Sequence, residues 1–366
     1  MEPRRPVNWR SVSLVFSKVC AIEGEFMSDL KSKTIVLLFV FIGLMTANSC
    51  NMNHGTTVSS QTVKESSRKY VWTKVTEQAA YPPSYNFPVY VANNRMWAFH
   101  PQGIWDSADG KTWTKTKLPA IRRDVYETRY VQFKDAVYAL GENRGNYLDI
   151  KFRSKIRRTT DFQKWELLSE KSNLPGRIFY SLLVFNEKLW LLGGYDGKNY
   201  YNDVWNSTDG VTWARVAEHT AWSPRTDAMV VAFKNRIYLS GGGVIDGTPN
   251  DNPDSSKEVW SSADGINWTK TAGNLQRLGG GSPIVFDGKV WLVGANRNDG
   301  VFGRATLSTE DFVNWKEESA PWSPRGGTAA WIFEGKLYMT GGKYSVTENG
   351  NIRFTYSNDV WYLSAS

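Results

Sequence analysis

One pattern constrains this 366-residue chain more than any other: a short apolar strand ending at or beside a glycine pair recurs six times. The copies lie at 95–101 (RMWAFHP), 136–142 (AVYALGE), 188–194 (KLWLLGG), 236–242 (RIYLSGG), 289–295 (KVWLVGA) and 336–342 (KLYMTGG). They return about every 48 residues. Each follows a second apolar strand and a tight turn such as Phe333-Glu334-Gly335-Lys336, which is a hairpin signal. A period of this size points to one repeat architecture rather than to two or three separate domains.

A second element completes each repeat. Asp203-Val204-Trp205-Asn206-Ser207-Thr208-Asp209-Gly210-Val211-Thr212-Trp213 reads as strand, turn, strand, and related copies end at Trp113, Trp165, Trp268 and Trp315. Asp-Gly or Asp-Phe supplies the turn, because Asp accepts from nearby backbone amides and Gly tolerates positive φ. The recurring Trp accounts for much of an unusual content of 17 Trp, and its expected place is between neighbouring units. Each repeat therefore contributes four short antiparallel strands.

Asn202-Asp203-Val204-Trp205 and Asn358-Asp359-Val360-Trp361, with the glycine pairs, resemble kelch repeats. The resemblance implies an all-β, six-bladed β-propeller over residues 70–366. Three glycine pairs are intact, and three are degraded to Gly141-Glu142, Gly294-Ala295 and His100-Pro101. The chain ends supply the count. The last repeat has a third strand at 359–363 and no fourth, while 70–75 (YVWTKV) matches the missing one, with Trp72 equivalent to Trp213. The amino-terminal strand is expected to close the last blade and so cover an exposed sheet edge.

The segment before the repeats reads as an address. Met27 opens a stretch with Lys31 and Lys33, an apolar run of eleven at 35–45, then Thr46, Ala47, Ser49 and Cys50. A spanning helix needs about 20 apolar residues, so the run suits a signal peptide. The stretch resembles a bacterial lipoprotein signal, although Ala47 stands where such signals usually carry Leu. The resemblance implies acylation of Cys50 and a lipid-anchored place in a bacterial cell envelope, periplasmic or at the cell surface. Residues 1–26 carry no targeting logic, so translation is expected to start at Met27; 27–49 is then the signal and the polar stretch 50–69 a flexible tether.

Composition excludes several functions. Two Cys (Cys20 and Cys50) and three His (His54, His100, His219) leave no multi-cysteine zinc site and little for histidine metal chemistry, and no cofactor is expected. The net charge is +8, but six Lys/Arg and four Asp/Glu fall within residues 1–50, leaving a mild +6 beyond, with no nucleic-acid stripe. The loop at 246–254 lacks calcium-loop spacing. The basic run Lys151, Arg153, Lys155, Arg157, Arg158 reads as a solvated strand edge. A monomer is expected.

Loop variation selects a face. Connections between second and third strands, and between blades, share one face and vary greatly (144–152, 195–202, 243–257, 297–304 and 343–358), whereas the turns on the other face are short. On the variable face Arg177, Arg225 and Arg325 each lie thirteen residues before an equivalent aromatic (Trp190, Tyr238, Tyr338), with Arg277 out of register by one. Converging guanidiniums would suit a carboxylate or other anion. Equally, each could bond backbone carbonyls of its neighbouring blade, as repetition itself predicts. Trp222 and Trp322, in matching Trp-Ser-Pro-Arg segments, with Tyr81, Tyr200 and Tyr201, are candidates for sugar stacking.

The expectation is a membrane-anchored binding module for an anionic glycan, a carboxylate-bearing small molecule or a protein. The alternative is an enzyme resembling, more distantly, the six-bladed sialic acid mutarotases (N-acetylneuraminate epimerases). No acid–base pair is singled out for it. A galactose-oxidase-type copper site lacks its Cys and His residues, and the Ser-x-Asp-Gly-x-Thr-Trp turns are one residue short of sialidase Asp boxes.

Overall fold

The repeats fold as antiparallel four-stranded sheets whose strand order follows the chain, and the last sheet takes its outer strand from the amino terminus. A computed structural model describes residues 68–121, 127–146, 149–243, 257–274, 278–279, 282–294, 296–297, 306–348 and 351–365. The signal, Cys50, most of the tether, Arg277 and the 246–254 loop lie outside the described residues. Six blades result, and no α-helix occurs among the described residues. Their inner strands are Val89–Ala92, Glu127–Phe133, Ser181–Phe185, Met229–Phe233, Ser282–Phe286 and Ala329–Phe333. These strands lie beside one another about a common axis, and the blades radiate outward.

Each strand's composition matches its position. The second strand of a blade is covered on both faces, so Lys188–Tyr195 is buried at every residue after the first and reads as a continuous apolar run. The inner strand alternates: Leu183 and Phe185 are buried against the following blade, while Leu182 packs partly buried against the preceding one and Val184 is exposed. The buried apolar residues form six clusters, one at each junction between neighbouring blades. Trp113 and Trp213 are within two of these clusters, and Trp165, Trp268 and Trp315 pack against three others.

The Asp turns also join blades. In the turn after the third strand of each of the first five blades, one carboxylate oxygen accepts two backbone N–H groups, as Asp264 does from Ile266 and Asn267. The next residue adopts positive φ and touches the second-strand aromatic of the preceding blade. At Gly265 a Cβ would lie 2.2 Å from the Trp190 ring, so only glycine fits there. Where that space is open, Phe takes the position. Phe312, at φ 61°, stacks on Tyr238 with centroids 3.8 Å apart, and Phe162, at φ 56°, stacks on Trp97 at 4.3 Å. Ring stacking of about 0.5–1.5 kcal/mol offsets much of the strain.

The last blade closes as the sequence predicts. Tyr70–Thr76 pairs antiparallel with Val360–Ala365, and Trp72 lies opposite Leu363, the register that makes it equivalent to Trp213. With no Asp turn available there, Tyr70 takes its place against Trp291, edge to face at 4.8 Å. The Tyr70 hydroxyl donates to Asp287 at 2.9 Å, and Arg68 pairs with the same carboxylate. Burial and the Asp287 charge push the Tyr70 phenol up to about 12.

In the first blade His100 replaces the first glycine of the pair. The ring is 2% exposed among Tyr81, Phe87 and Trp105, and its Nδ1 accepts from the Gln102 N–H. Burial lowers its pKa to about 4; the Pro82 carbonyl opposes this and Lys115 adds to it. The unfolded chain therefore binds the proton first as pH falls. Stability should be full above about pH 6.5 and decline by about 3 kcal/mol on descent to pH 4. Urea melts of His100→Gln should show a flatter midpoint between pH 6.5 and 4 than the parent, and equal slopes would refute the assignment.

Candidate functional site

The kelch-like residues assemble a repeated brace at the loop face. In the third blade Asn202 donates its side-chain N–H groups to the Thr220 and Trp222 carbonyls of the following loop, at 3.0 Å each. Asn358 does the same to Ala79 and Tyr81. The adjoining carboxylate points inward: Asp203 receives Arg177 at 2.5 and 3.1 Å and the Trp205 Nε1–H at 2.7 Å. Asp359 receives Arg325 at 2.5 and 3.2 Å and the Trp361 Nε1–H at 2.8 Å. In the fourth blade Glu258 substitutes for Asp and holds Arg225 at 3.0 Å.

Each guanidinium also donates to the first glycine of its own blade's pair: Arg177 to Gly193, Arg225 to Gly241 and Arg325 to Gly341. The second glycine reaches the next blade, as the Gly194 N–H donates to the Arg225 carbonyl at 2.9 Å. In the first blade Ser84 occupies the arginine position, and its carbonyl accepts from Gly342 at 2.9 Å. The glycine pair and the arginine are thus two halves of one joint.

This geometry corrects the expectation of an arginine clamp. Arg177, Arg225 and Arg325 are 6%, 1% and 3% exposed, and each is occupied by a carboxylate and a carbonyl of its own blade. Burial alone would raise the Asp359 pKa, but the Arg325 guanidinium overrides it and holds the carboxyl below the usual range. Burial lowers the Arg225 pKa, opposed by Glu258. Trp222 and Trp322, at 1% and 6% exposure, fill the junctions between blades and offer no ring face to a sugar. Tyr81 is buried against Thr340, and Tyr201 covers Arg177 at 3.9 Å while donating to Asp196. Tyr200 remains half-buried, its ring tilted by 31° to that of Tyr195 at 4.7 Å. The basic run is not one strand edge: Lys151 ends the short strand Asp149–Lys151, and Lys155, Arg157 and Arg158 lie on the third strand, which is paired on both sides, with their charges met by Glu170, Glu142 and Glu166.

Two other groups occupy the loop face. Arg129, from the second blade's inner strand, pairs at 2.9 Å with Asp227, which precedes the fourth blade's inner strand. Phe179 and Asp227 both hold positive φ at equivalent positions and are joined by the Asp227 N–H to the Phe179 carbonyl. The second group sits on a hairpin, Lys343–Glu348 with Asn351–Tyr356, rising from the last blade. Phe354 and Tyr356 of the hairpin are 49% and 39% exposed, Tyr85 from the connection beside it is 39% exposed, and Lys343 lies among them. The sequence marks 343–358 only as a variable connection, whereas the structure pairs it into a hairpin. The alternation Ile352-x-Phe354-x-Tyr356 was the available strand signal. Among the described residues no cluster of three or more His, Cys, Asp and Glu could hold a metal ion.

Comparison with known proteins agrees with the architecture. The solved structure of YjhT superposes with a TM-score of 0.59 at 12% identity, covering 78% of this chain and all of that one. Protein tag-53 of Caenorhabditis elegans is 32% identical over 84 residues, a match covering 21% of this chain and 6% of tag-53. Residues 44–277, more than half of the sequence, match the DUF6242 beta propeller domain, and with its six kelch-like blades the chain belongs to that family.

Proposed function

We propose that this protein is a lipid-anchored propeller of a bacterial cell envelope, which binds a glycan or protein ligand on its loop face. The observation that carries the reading is the gathering of Phe354 and Tyr356, on the hairpin of the last blade, with Tyr85 of the connection beside it, where the three rings cover no core. Scattered exposed apolar residues are ordinary, whereas a contiguous aromatic surface marks binding. The chain's point of entry supports the anchored arrangement. Arg68 and Tyr70 hold Asp287 in a turn of the short-turn face, so the variable loops face the opposite way.

The mutarotase reading has no comparable support. The three described arginines that suggested a carboxylate pocket are committed to carboxylates of the fold. Arg129 and Asp227, at the inner strands of the second and fourth blades, are paired with each other.

Three measurements on the full chain test the proposal. Cys50→Ser should abolish labelling by radioactive palmitate and move the protein from the membrane fraction to the soluble one; unchanged fractionation would overturn the anchor. A glycan array should show selective retention, and an NMR assay of sialic acid anomer exchange should show no acceleration at micromolar protein. Acceleration would replace the binding module with the enzyme.

A further inference from the structure

The hairpin of the last blade has two unlike faces. Its register sets Lys343 opposite Tyr356, Tyr344 opposite Thr355 and Ser345 opposite Phe354. Successive side chains point to opposite sides, so Lys343, Ser345, Phe354 and Tyr356 share one face and Tyr344 belongs to the other. Tyr344 lies 5.8 Å from the Arg325 guanidinium, turned toward the blade. The Lys343 face is therefore the outward one. Tyr85, from the connection between the last and first blades, extends it by stacking on Tyr356, with centroids 5.3 Å apart and planes at 25°.

The lysine distinguishes this surface from a plain apolar patch. Its ammonium sits 3.9 Å from the Phe354 ring centre and 5.7 Å from that of Tyr85. Cation–π attraction fixes its position without neutralising its charge. Among the described residues no carboxylate lies within ion-pair distance of it, although the neighbouring Arg325 is fully paired. A cation fixed on aromatic faces and left without a counter-charge is complementary to an anion with apolar surface of its own. Exposed Ser345 adds a hydroxyl on the same face.

We propose that this face binds a carboxylated saccharide, of the hexuronate class, with Lys343 pairing the carboxylate and the Tyr85, Phe354 and Tyr356 rings receiving the sugar. The assignment rests on the binding-module reading above and gives it a site and a ligand class. A pyranuronate carries both required parts in one residue: ring C–H groups that stack on aromatic faces, and a carboxylate attached to the ring. A neutral sugar would leave the ammonium without a counter-ion, and a small free carboxylate would leave the rings uncovered.

The test is calorimetric titration of the full chain with tetragalacturonate and with the neutral tetragalactoside. The uronide should bind at least tenfold more tightly. Lys343→Met should weaken the uronide about tenfold and leave the neutral sugar unchanged, while Phe354→Ser should weaken both. Phe354 and Lys343 are both outside the core, so thermal melts of the two variants should match the parent and exclude misfolding. Equal uronide binding by parent and Lys343→Met would overturn the site while leaving the binding module standing. Retention of glycans other than uronides, or of a protein alone, would overturn the ligand class. An array with no retained glycan and no retained protein would count against the module itself.

Discussion

Deleting residues 1–76 should leave a chain that no longer folds to a stable monomer. The closing strand contributes antiparallel pairing along Val360–Ala365 from Tyr70 to Thr76. Without it the backbone edge of that strand is open, together with Trp361 and Leu363, which are 8% and 1% exposed in the closed ring. Trp72 is lost from its edge-to-face contact with Trp322 at 4.2 Å, and Tyr70 from Trp291. Two large aromatic side chains at about 1.5–3 kcal/mol each, with the pairing added, approach the whole net stability of an ordinary domain. An uncovered edge beside apolar residues is also a template for association. Light scattering and thermal melting should show aggregation and loss of the cooperative transition, whereas deletion of residues 1–49 alone should leave the melt unchanged. A monomeric 77–366 chain with the parental melting temperature would show that the other five blades hold the ring unaided.

The architecture was legible because its signals repeat. Six copies of a strand that is buried on both faces cannot be satisfied by an isolated hairpin, and the mismatch between the chain's two ends dictated where Tyr70–Thr76 had to go. The site was less legible for the same reason. Arg177, Arg225 and Arg325 recur because the joint recurs, and sequence spacing cannot distinguish a guanidinium turned toward a ligand from one turned toward Asp203, Glu258 or Asp359. The partner was nevertheless in view: the Asp of Asn-Asp-Val-Trp stands two residues before the Trp whose indole it accepts. Tyr85, Lys343 and Phe354 occur once each. No repetition marks them, and their convergence depends on a loop from one blade meeting a hairpin of another.

The second large effect is expected from cutting that joint. Arg325→Ala leaves Asp359 ionised, 9% exposed, and held only by the Ser357 hydroxyl and the Trp361 indole. Removing one partner of a buried pair costs about 3–5 kcal/mol, because the other charge stays desolvated. The melting temperature should fall by roughly 10 °C for a domain of this size. Asp359→Ala should cost a similar amount by stranding the guanidinium. The double variant Arg325→Met/Asp359→Leu should regain most of the loss, since a well-packed apolar pair carries no desolvation penalty. The pH dependence has a definite sign. Arg325 depresses the Asp359 pKa in the folded state, so the pair's contribution is present above the unfolded carboxylate pKa and disappears as pH falls through the folded one. The cost of Arg325→Ala should therefore shrink progressively below about pH 4. A loss under about 1 kcal/mol at pH 7 would mean that the pair is not structural. The guanidinium would then be free to serve a ligand, and the arginine clamp would return as the better account of the loop face.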